Sequence, residues 1–331
     1  MNIENLSKIL QNEASFRFKQ ANEALYKQFI SSWQDLSSFP KTLRDKLDKE
    51  CPLEIKAELI KSNSFSYKAL IELEDKLKIE TVLITHDSRQ TVCLSSQVGC
   101  PLACSFCSTG KLGFKRNLTY YEIIEQFLFW ARFLKNKNQK IDNLVFMGMG
   151  EPLLNYYELL KSISFLNNEE KFNFAARRIS ISTVGMIDEI KKLASEPYQV
   201  NLAISLNASS DKTRKKIMPI ASSKINLEDL FAVVDYYIKK TNRKVMFEYV
   251  LLDKINDSKE DAQLLVKLMK KPLYFLNLIK FNPNESNFKA SSEKRIAEFS
   301  KILIDNNIRL SRRQSYGNDI SAACGQLANI N

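Results

Sequence analysis

Three cysteines within eight residues constrain this chain more than any other feature of its sequence. They lie in Cys100-Pro-Leu-Ala-Cys104-Ser-Phe-Cys107, a C-x-x-x-C-x-x-C arrangement bracketed by Gly99 and Gly110. Thiolates this close on a short loop can bind a single inorganic centre. An iron–sulfur cube has four irons, so three cysteines leave one iron for another ligand. A structural zinc site normally has four protein ligands, and no adjacent residue supplies a fourth. The spacing therefore favours an iron–sulfur loop over zinc or chance clustering.

The length and composition predict a globular protein in a reducing compartment. The chain has 331 residues, 44% of them hydrophobic and 26% charged, which suits one large domain plus a small one. It contains no apolar run of about 18 residues, the length that a membrane helix needs. Its first residues lack the basic and apolar segments of a secretory signal. We therefore expect a cytoplasmic protein, in which clustered cysteines bind metal or do redox chemistry.

The charge balance favours a polyanionic partner. Lys and Arg outnumber Asp and Glu by 49 to 38, a formal charge of +11. A lysine-rich solvated surface would give the same excess. His86 is the single histidine, so histidine-based catalysis is nearly excluded. The basic residues expected to face RNA beside strand ends are Arg177, Arg178, Lys212, Arg214, Lys215 and Lys216.

The first 62 or so residues read as helices. Apolar spacing and prolines predict helices over Ser15–Ile30, Pro40–Lys49 and Pro52–Lys61, a module that either faces RNA or presents a solvated surface. Alternation then predicts a hairpin of Tyr67–Leu73 and Leu77–Ile84. The expected organisation is a helical accessory domain over 1–64, a β-hairpin extension over 65–88, and a core with a C-terminal cysteine segment over 89–331.

The remainder alternates strands with helices. Such repetition predicts an α/β fold with a parallel sheet, open or curved into a full or partial barrel, with functional groups at the carboxyl ends of the strands. The predicted strands are Thr91–Ser95, Asn143–Met147, Arg178–Thr183, Val200–Leu206, Lys244–Leu251, Leu276–Phe281 and Ile308–Arg312. The predicted helices are Thr119–Leu134, which opens with a capping box, Asn155–Leu166, Ile187–Ala194, Leu227–Lys239, Lys259–Met269 and Glu293–Asp305.

Four of these strands end in small polar motifs. The motifs are Met147–Pro152, with two glycines and the carboxylate of Glu151, then Ser182–Gly185, Ser205–Asn207 and Lys280–Pro283. Each alone is a common strand-to-loop transition. Four in succession predict a convergent site.

Two further cysteines lie apart from the loop. Cys93 is on the strand that leads into it, and Cys324 has small neighbours that would let its thiol reach a cleft. An isolated cysteine is usually a small buried residue, and we expect that of Cys51.

Together these motifs resemble the RlmN/Cfr group of radical S-adenosylmethionine RNA adenine methyltransferases. The resemblance is carried by the cysteine loop and by the segments Cys93–Cys100, Phe146–Asn155 and Ala322–Leu327, and it runs from about Glu80 to Leu327. It implies a radical-SAM partial (β/α) barrel with a small N-terminal helical accessory domain.

The resemblance also implies the site residues. The ligands of one [4Fe–4S] cluster fall on Cys100, Cys104 and Cys107. Contacts to S-adenosylmethionine fall on Gly150, Glu151, Ser182, Ser205, Leu206, Asn207 and Asn282. Similar proteins usually have histidine at the position of Asn207. The methyl-carrying cysteine falls on Cys324, its redox partner on Cys93, and a proton acceptor on Glu80, which on a strand could equally be a surface residue.

The implied reaction methylates C2 of an adenine in 23S ribosomal RNA and in transfer RNA. It uses two S-adenosylmethionine molecules in turn, a methyl-cysteine at Cys324 and a Cys93–Cys324 disulfide on release. The implied partners are these RNAs and an electron donor such as flavodoxin or ferredoxin. Nothing in the sequence requires more than a monomer. One alternative is methylation at C8, as in Cfr-type antibiotic resistance, although Gly150–Asn155 is more similar to the C2 enzymes. Another is a non-catalytic RNA-binding or structural zinc protein.

Overall fold

The computed structural model describes residues 3–63 and 65–328 of the chain. The strands are β1 Ala57–Lys61, β2 Ser66–Glu72, β3 Lys78–His86, β4 Arg89–Cys93, β5 Gln97–Gly99, β6 Phe114–Asn117, β7 Asn143–Phe146, β8 Ile179–Thr183, β9 Asn201–Ser205, β10 Val245–Leu251, β11 Tyr274–Lys280 and β12 Leu310–Arg313.

Helices follow most of the strands. The α-helices are α1 Ile3–Leu10, α2 Ser15–Tyr26, α3 Lys41–Glu50, α4 Ser108–Lys111, α5 Tyr120–Lys135, α6 Tyr156–Asn167, α7 Ile187–Leu193, α8 Asp211–Ile217, α9 Pro219–Lys224, α10 Leu227–Thr241, α11 Lys259–Leu268 and α12 Glu293–Asp305. Short 3₁₀ helices cover Trp33–Asp35, Pro152–Asn155, Ala176–Arg178 and Asn318–Ile320.

One ten-stranded sheet organises the fold, in the order β1-β2-β3-β4-β7-β8-β9-β10-β11-β12. The strands from β4 through β12 in that order are parallel, and β1 to β4 pair antiparallel. The predicted parallel sheet and the predicted hairpin are therefore confirmed. In the part of the chain that the structure describes, β1 and β12 remain the two edges, so the sheet is open and does not close into a full barrel.

The predicted helix at Pro52–Lys61 is wrong. Its second half is strand β1, which pairs antiparallel with β2 from Ala57 opposite Ile71 to Lys61 opposite Tyr67. Without β1, strand β2 would leave its backbone N–H and C=O groups unpaired along one edge of the sheet. The sheet therefore includes, as its edge strand, a segment that lies within the predicted helical domain.

The N-terminal helices form a hydrophobic core of their own. Trp33 is fully buried there and donates from Nε1 to the carbonyl of Cys51 at 2.8 Å, which confirms that Cys51 is a buried residue. Arg132 on α5 joins this core to the sheet domain, because its guanidinium donates to the carbonyls of Ile30 and Leu53 at 2.6 and 2.7 Å. Within the described residues, no helix has both the length and the apolar character that crossing a bilayer requires.

Candidate active site

The cysteine loop, residues 100–107, is fixed between a short hairpin and the C-terminal segment. The hairpin pairs β5 with β6, and Gly99 ends β5 with a φ of +75°. A Cβ on Gly99 would lie 1.8 Å from the carbonyl oxygen of Gly113, so only glycine fits this position. At the other end of the loop, the backbone N–H of Ser108 donates to the carbonyl of Gly325 at 2.8 Å. The loop is therefore held in place by residues distant in sequence.

The three thiols of the loop are suited to a multinuclear centre. None is in a disulfide, and burial raises the pKa of Cys100 to about 12 and also raises the pKa values of Cys104 and Cys107. A cationic metal centre would supply the positive charge that stabilises such thiolates. No three His, Cys, Asp or Glu side chains of the described residues are grouped as a single metal ion requires. A four-iron cube separates its ligands further, because each thiolate binds a different iron.

A cavity of about 170 Å³ lies between the cysteine loop and the carboxyl ends of strands β7 to β11. We call it the inner cavity. The structure brings together here the three loop cysteines and six further predicted site residues. These six are Gly150, Glu151, Ser182, Ser205, Asn207 and Asn282. The hydroxyl oxygens of Ser182 and Ser205 lie 3.2 Å apart, so the ends of β8 and β9 present one polar surface to the cavity.

Glu151 joins the ends of two strands and also faces the inner cavity. Its carboxylate accepts from the backbone N–H of Leu153 at 3.2 Å and of Val184 at 2.9 Å. Burial raises the pKa of Glu151 to about 7. A cationic amine bound beside it would favour the charged form of the carboxylate. The position thus suits the contact with S-adenosylmethionine, which carries an amino group, that the resemblance implies for Glu151.

Of the two neighbouring residues Leu206 and Asn207, only Asn207 lines the inner cavity. The side chain of Leu206 is fully buried in the core and does not line the cavity. Asn207 does, at a φ of +56°, and its Oδ1 accepts from the backbone N–H of Val250 at 3.0 Å. Its Nδ2 donates to the sulfur of Met218 at 3.6 Å, a weak partner. The prediction of a cofactor contact at Asn207 therefore depends on this weakly bonded amide N–H.

Glu248 is a residue of the inner cavity that the sequence analysis missed. Its Oε1 accepts from Asn277 at 2.9 Å, whereas its Oε2 is buried without a hydrogen-bond partner. Burial raises the pKa of Glu248. A buried acceptor facing a cavity fits a ligand that brings hydrogen-bond donors, such as the hydroxyl and amino groups of S-adenosylmethionine. The sequence signal was a carboxylate within the otherwise apolar strand from Val245 to Leu251.

A second space of about 620 Å³, the outer chamber, adjoins the inner cavity and brings together the two isolated cysteines. Cys93 is only 8% exposed, while Cys324 is exposed. Burial raises the pKa of Cys93 to about 12. The chamber is large enough for a small ligand. Residues that line both spaces are Cys107, Met147, Gly148, Ile279, Arg313, Cys324 and Gly325.

Arg313, which the sequence analysis also missed, lies where the two spaces meet. Its Nη1 is 3.9 Å from Oε2 of Glu248 and 3.5 Å from the sulfur of Met147. Negative charge on the sulfur of Cys324 raises the pKa of Arg313 most strongly, ahead of the negative charge of Glu248. A guanidinium at this point stabilises negative charge in either space. Nothing in the local sequence distinguishes Arg313 from Arg312, because only the sheet decides that Arg313 lines both spaces and Arg312 the outer chamber alone.

Glu80 is buried, so the alternative of a surface residue is wrong. Its Oε1 lies 2.8 Å from Nζ of Lys68, and its Oε2 accepts from the backbone N–H of Ala328 at 2.8 Å. It lines neither the inner cavity nor the outer chamber. Its predicted role as proton acceptor stays a prediction.

The predicted basic surface divides into three parts. Arg214 is fully buried and donates to the carbonyls of Val184 and Ile225, so its assignment to the surface is wrong. Arg177 and Arg178 are exposed but precede β8, at the end of the sheet opposite the cysteine loop. The exposed lysines of α8 lie beside that loop, because Ile217 at the end of α8 accepts from the N–H of Ser105 at 2.9 Å. These lysines are Lys212, Lys215 and Lys216.

Comparison with known proteins finds relatives along nearly the whole chain. Residues 94–266 match the family model described as "Radical SAM superfamily". The chain is 44% identical over 329 residues to a protein of Dictyoglomus turgidum named "Probable dual-specificity RNA methyltransferase RlmN", covering 98% of this chain and 94% of that one. It is 37% identical over 324 residues to the "Ribosomal RNA large subunit methyltransferase N" of Nitrosopumilus maritimus, covering 94% and 92%.

Solved structures agree on the fold. A crystal structure of a radical SAM methyltransferase from Sphaerobacter thermophilus superposes with a TM-score of 0.93 at 38% identity, covering 99% of this chain and 97% of the other. Streptococcus suis SuiB bound to S-adenosylmethionine shares only the fold, with a TM-score of 0.50 at 12% identity over 72% of this chain and 57% of SuiB.

Proposed function

Because this chain belongs to the RlmN group of RNA methyltransferases within the radical SAM superfamily, we propose that it methylates C2 of an adenine in 23S ribosomal RNA and in transfer RNA. The methyl group passes through a methyl-cysteine at Cys324, with two S-adenosylmethionine molecules used in turn. The observation that carries the proposal is that Cys93 and Cys324 line one chamber, directly beside the cavity of the cysteine loop.

The chain's own residues provide a place for both cofactors. Cys100, Cys104 and Cys107 would hold one [4Fe–4S] cluster, and the iron without a cysteine ligand would bind the amino and carboxylate groups of S-adenosylmethionine. When bound, the cluster supplies the electron that cleaves the sulfonium and yields a 5′-deoxyadenosyl radical. Glu151 and Glu248 then accept hydrogen bonds from the cofactor's donor groups, and Ser182 and Ser205 supply hydroxyls.

Cys324 reacts before Cys93 because the two isolated cysteines differ in burial. Cys324 is exposed in the chamber and attacks the methyl group of the first S-adenosylmethionine, for which it must be a thiolate. Cys93 stays protonated at neutral pH, since burial holds its pKa near 12, and so does not compete for the methyl group. The positive charge of Arg313, between the two spaces, opposes part of this rise in the pKa of Cys93.

The release step joins the same two cysteines. After the second S-adenosylmethionine is cleaved, the 5′-deoxyadenosyl radical takes a hydrogen atom from the S-methyl group of Cys324, and the resulting methylene radical adds to C2 of an adenine held outside its base stack. The adduct then loses the C2 proton and one electron, which the oxidised cluster would take back. The Cys93 thiol then loses its proton and its sulfur attacks the Cys324 sulfur, the Cys324–carbon bond breaks, and the released carbon takes up a proton to complete the methyl group of the base. The Cys93–Cys324 disulfide is reduced with two electrons before the next cycle. We further propose that the protein works as a monomer in the cytoplasm, with flavodoxin or ferredoxin as electron donor.

The position of the new methyl group tests the proposal directly. Cluster-loaded protein incubated with S-adenosylmethionine, reductant and 23S ribosomal RNA is expected to give 2-methyladenosine, detected by mass spectrometry of the digested RNA. Transfer RNA is expected to give the same nucleoside. 8-Methyladenosine would instead support the Cfr-type alternative, which has the same cofactors. Cys324→Ala serves as the control and should give neither product.

RNA binding is expected to depend on salt through the lysines beside the cysteine loop. Each phosphate that a cationic side chain neutralises adds about 0.7 to the slope of log K against log salt for a single-stranded RNA. Lys215→Gln/Lys216→Gln should therefore flatten this slope by about 1.4, measured by fluorescence anisotropy between low and moderate salt. Arg177→Gln/Arg178→Gln is the matched control, because it removes two charges at the opposite end of the sheet. Equal slopes for the two variants would contradict a site-facing basic surface.

A further inference from the structure

We propose that Glu80 and Lys68 are positioning residues that hold the C-terminal segment carrying Cys324 in place for methyl transfer. The inference deepens the proposed function, since it concerns how the acceptor cysteine of that reaction reaches its place. It differs from the proton-acceptor role that the sequence predicts for Glu80. The segment concerned, residues 322–328, contains no helix or strand in the described structure, so individual backbone and side-chain hydrogen bonds to other parts of the chain determine where it lies.

Lys68 and Glu80 form an ion pair inside the protein. Lys68 on β2 and Glu80 on β3 are diagonal neighbours in the antiparallel hairpin, with Nζ and Oε1 2.8 Å apart and side chains only 4% and 1% exposed. A charge buried to this degree is costly unless it is paired and hydrogen-bonded. The pair therefore keeps the carboxylate in one orientation, with its second oxygen directed away from the lysine.

That second oxygen binds the C-terminal segment. Oε2 of Glu80 accepts from the backbone N–H of Ala328 at 2.8 Å, four residues beyond Cys324. A hydrogen bond from a backbone N–H to a charged acceptor is stronger than one between neutral groups. The contact thus attaches the end of the segment to the hairpin of β2 and β3.

Two carbonyls of the segment accept hydrogen bonds from other elements. Leu327 O accepts from the hydroxyl of Thr109 at 2.6 Å, and Cys324 O accepts from Nδ2 of Asn282 at 3.1 Å. These two donors belong to elements next to the cysteine loop. These donors hold Cys324 and Leu327, and the Glu80 contact holds Ala328, so removal of the Glu80 contact leaves the C-terminal end of the segment held less firmly.

The same contacts argue against proton transfer by Glu80. One carboxylate oxygen is paired with Lys68 and the other with Ala328, and the residue lines neither the inner cavity nor the outer chamber. A general base needs hydrogen-bond reach to the proton that it removes. In this arrangement the carboxylate reaches the backbone beyond Cys324 instead.

Two double variants separate the roles. Lys68→Met/Glu80→Gln and Lys68→Met/Glu80→Leu both remove the ion pair without leaving a buried charge, and only the first keeps an acceptor for Ala328 N–H. The measured step is methylation of Cys324 in cluster-loaded protein with S-adenosylmethionine and no RNA, followed by intact mass spectrometry. The glutamine variant should keep a rate within about threefold of wild type. The leucine variant should be slowed by about 10-fold to 100-fold, as for loss of a hydrogen bond to a charged group.

A proton acceptor would act only after RNA has bound, so that role predicts equal rates for the two variants in this RNA-free step. Equal rates, fast or slow, overturn the proposal. Ala328→Pro tests it without touching the ion pair, because proline has no N–H, and it should slow methylation as the leucine variant does. A wild-type rate in Ala328→Pro also overturns the proposal. Wild-type protein that never methylates Cys324 would contradict the proposed function itself, which is a separate result.

Discussion

Cys93→Ala protein incubated with S-adenosylmethionine, a reductant and RNA is expected to accumulate a covalent protein–RNA species joined through Cys324. The reason is the order of events in the outer chamber, where both cysteines lie. Methyl loading and addition to the base need Cys324, and only release needs the Cys93 sulfur. The variant therefore stops one step before product leaves. Denaturing gel electrophoresis and mass spectrometry of the crosslinked peptide measure this species.

The remaining cysteines supply the controls for that experiment. Cys324→Ala should form neither the methyl-cysteine nor the adduct, and the double Cys93→Ala/Cys324→Ala should behave in the same way. Cys51→Ala, a buried cysteine of the N-terminal core, should turn over and lose only about 1 kcal/mol of stability. Normally methylated RNA, released by Cys93→Ala at the wild-type yield, would rule out the resolving role.

Cys104→Ala is expected to abolish the iron–sulfur chromophore and with it all turnover. Two cysteines cannot hold a cube that also keeps one iron for S-adenosylmethionine. The measurements are iron and sulfide content and the visible absorption of anaerobically purified protein. The free Cys104 thiol is difficult to ionise without a metal, since burial raises its pKa well above the usual value.

Cys51→Ala is again the matched control, because it removes one buried thiol outside the loop and should keep full iron and sulfide. Full iron loading of Cys104→Ala would contradict the cluster assignment. One tightly bound zinc in wild-type protein, with no iron or sulfide after anaerobic reconstitution, would support the structural-zinc alternative instead.

The sequence alone determined the features that depend on near neighbours along the chain. The spacing of Cys100, Cys104 and Cys107 places three thiols on one loop whatever surrounds it. The alternation of apolar residues in β2 and β3 specified the hairpin, and the capping box of Thr119 and Glu122 specified the start of α5. The polar ends of successive strands pointed to one edge of the sheet because parallel strands share a direction.

The tertiary structure alone decided which distant side chains meet. Arg214 looked like a surface cation, but its helix turns it inward to the carbonyls of Val184 and Ile225. The segment that becomes β1 has too little local preference to identify it, and the open edge of β2 decides its conformation. Sheet register makes Glu248 and Arg313 neighbours, although they lie on different strands.

Glu80 is a single residue for which the sequence determined one property and the tertiary structure decided another. The sequence placed it on a strand and, by resemblance, assigned it a catalytic role. Only the fold placed Lys68 beside one of its oxygens and Ala328 beside the other. Chain neighbours determine backbone conformation, whereas the partner of a buried charge depends on segments that the whole fold brings together.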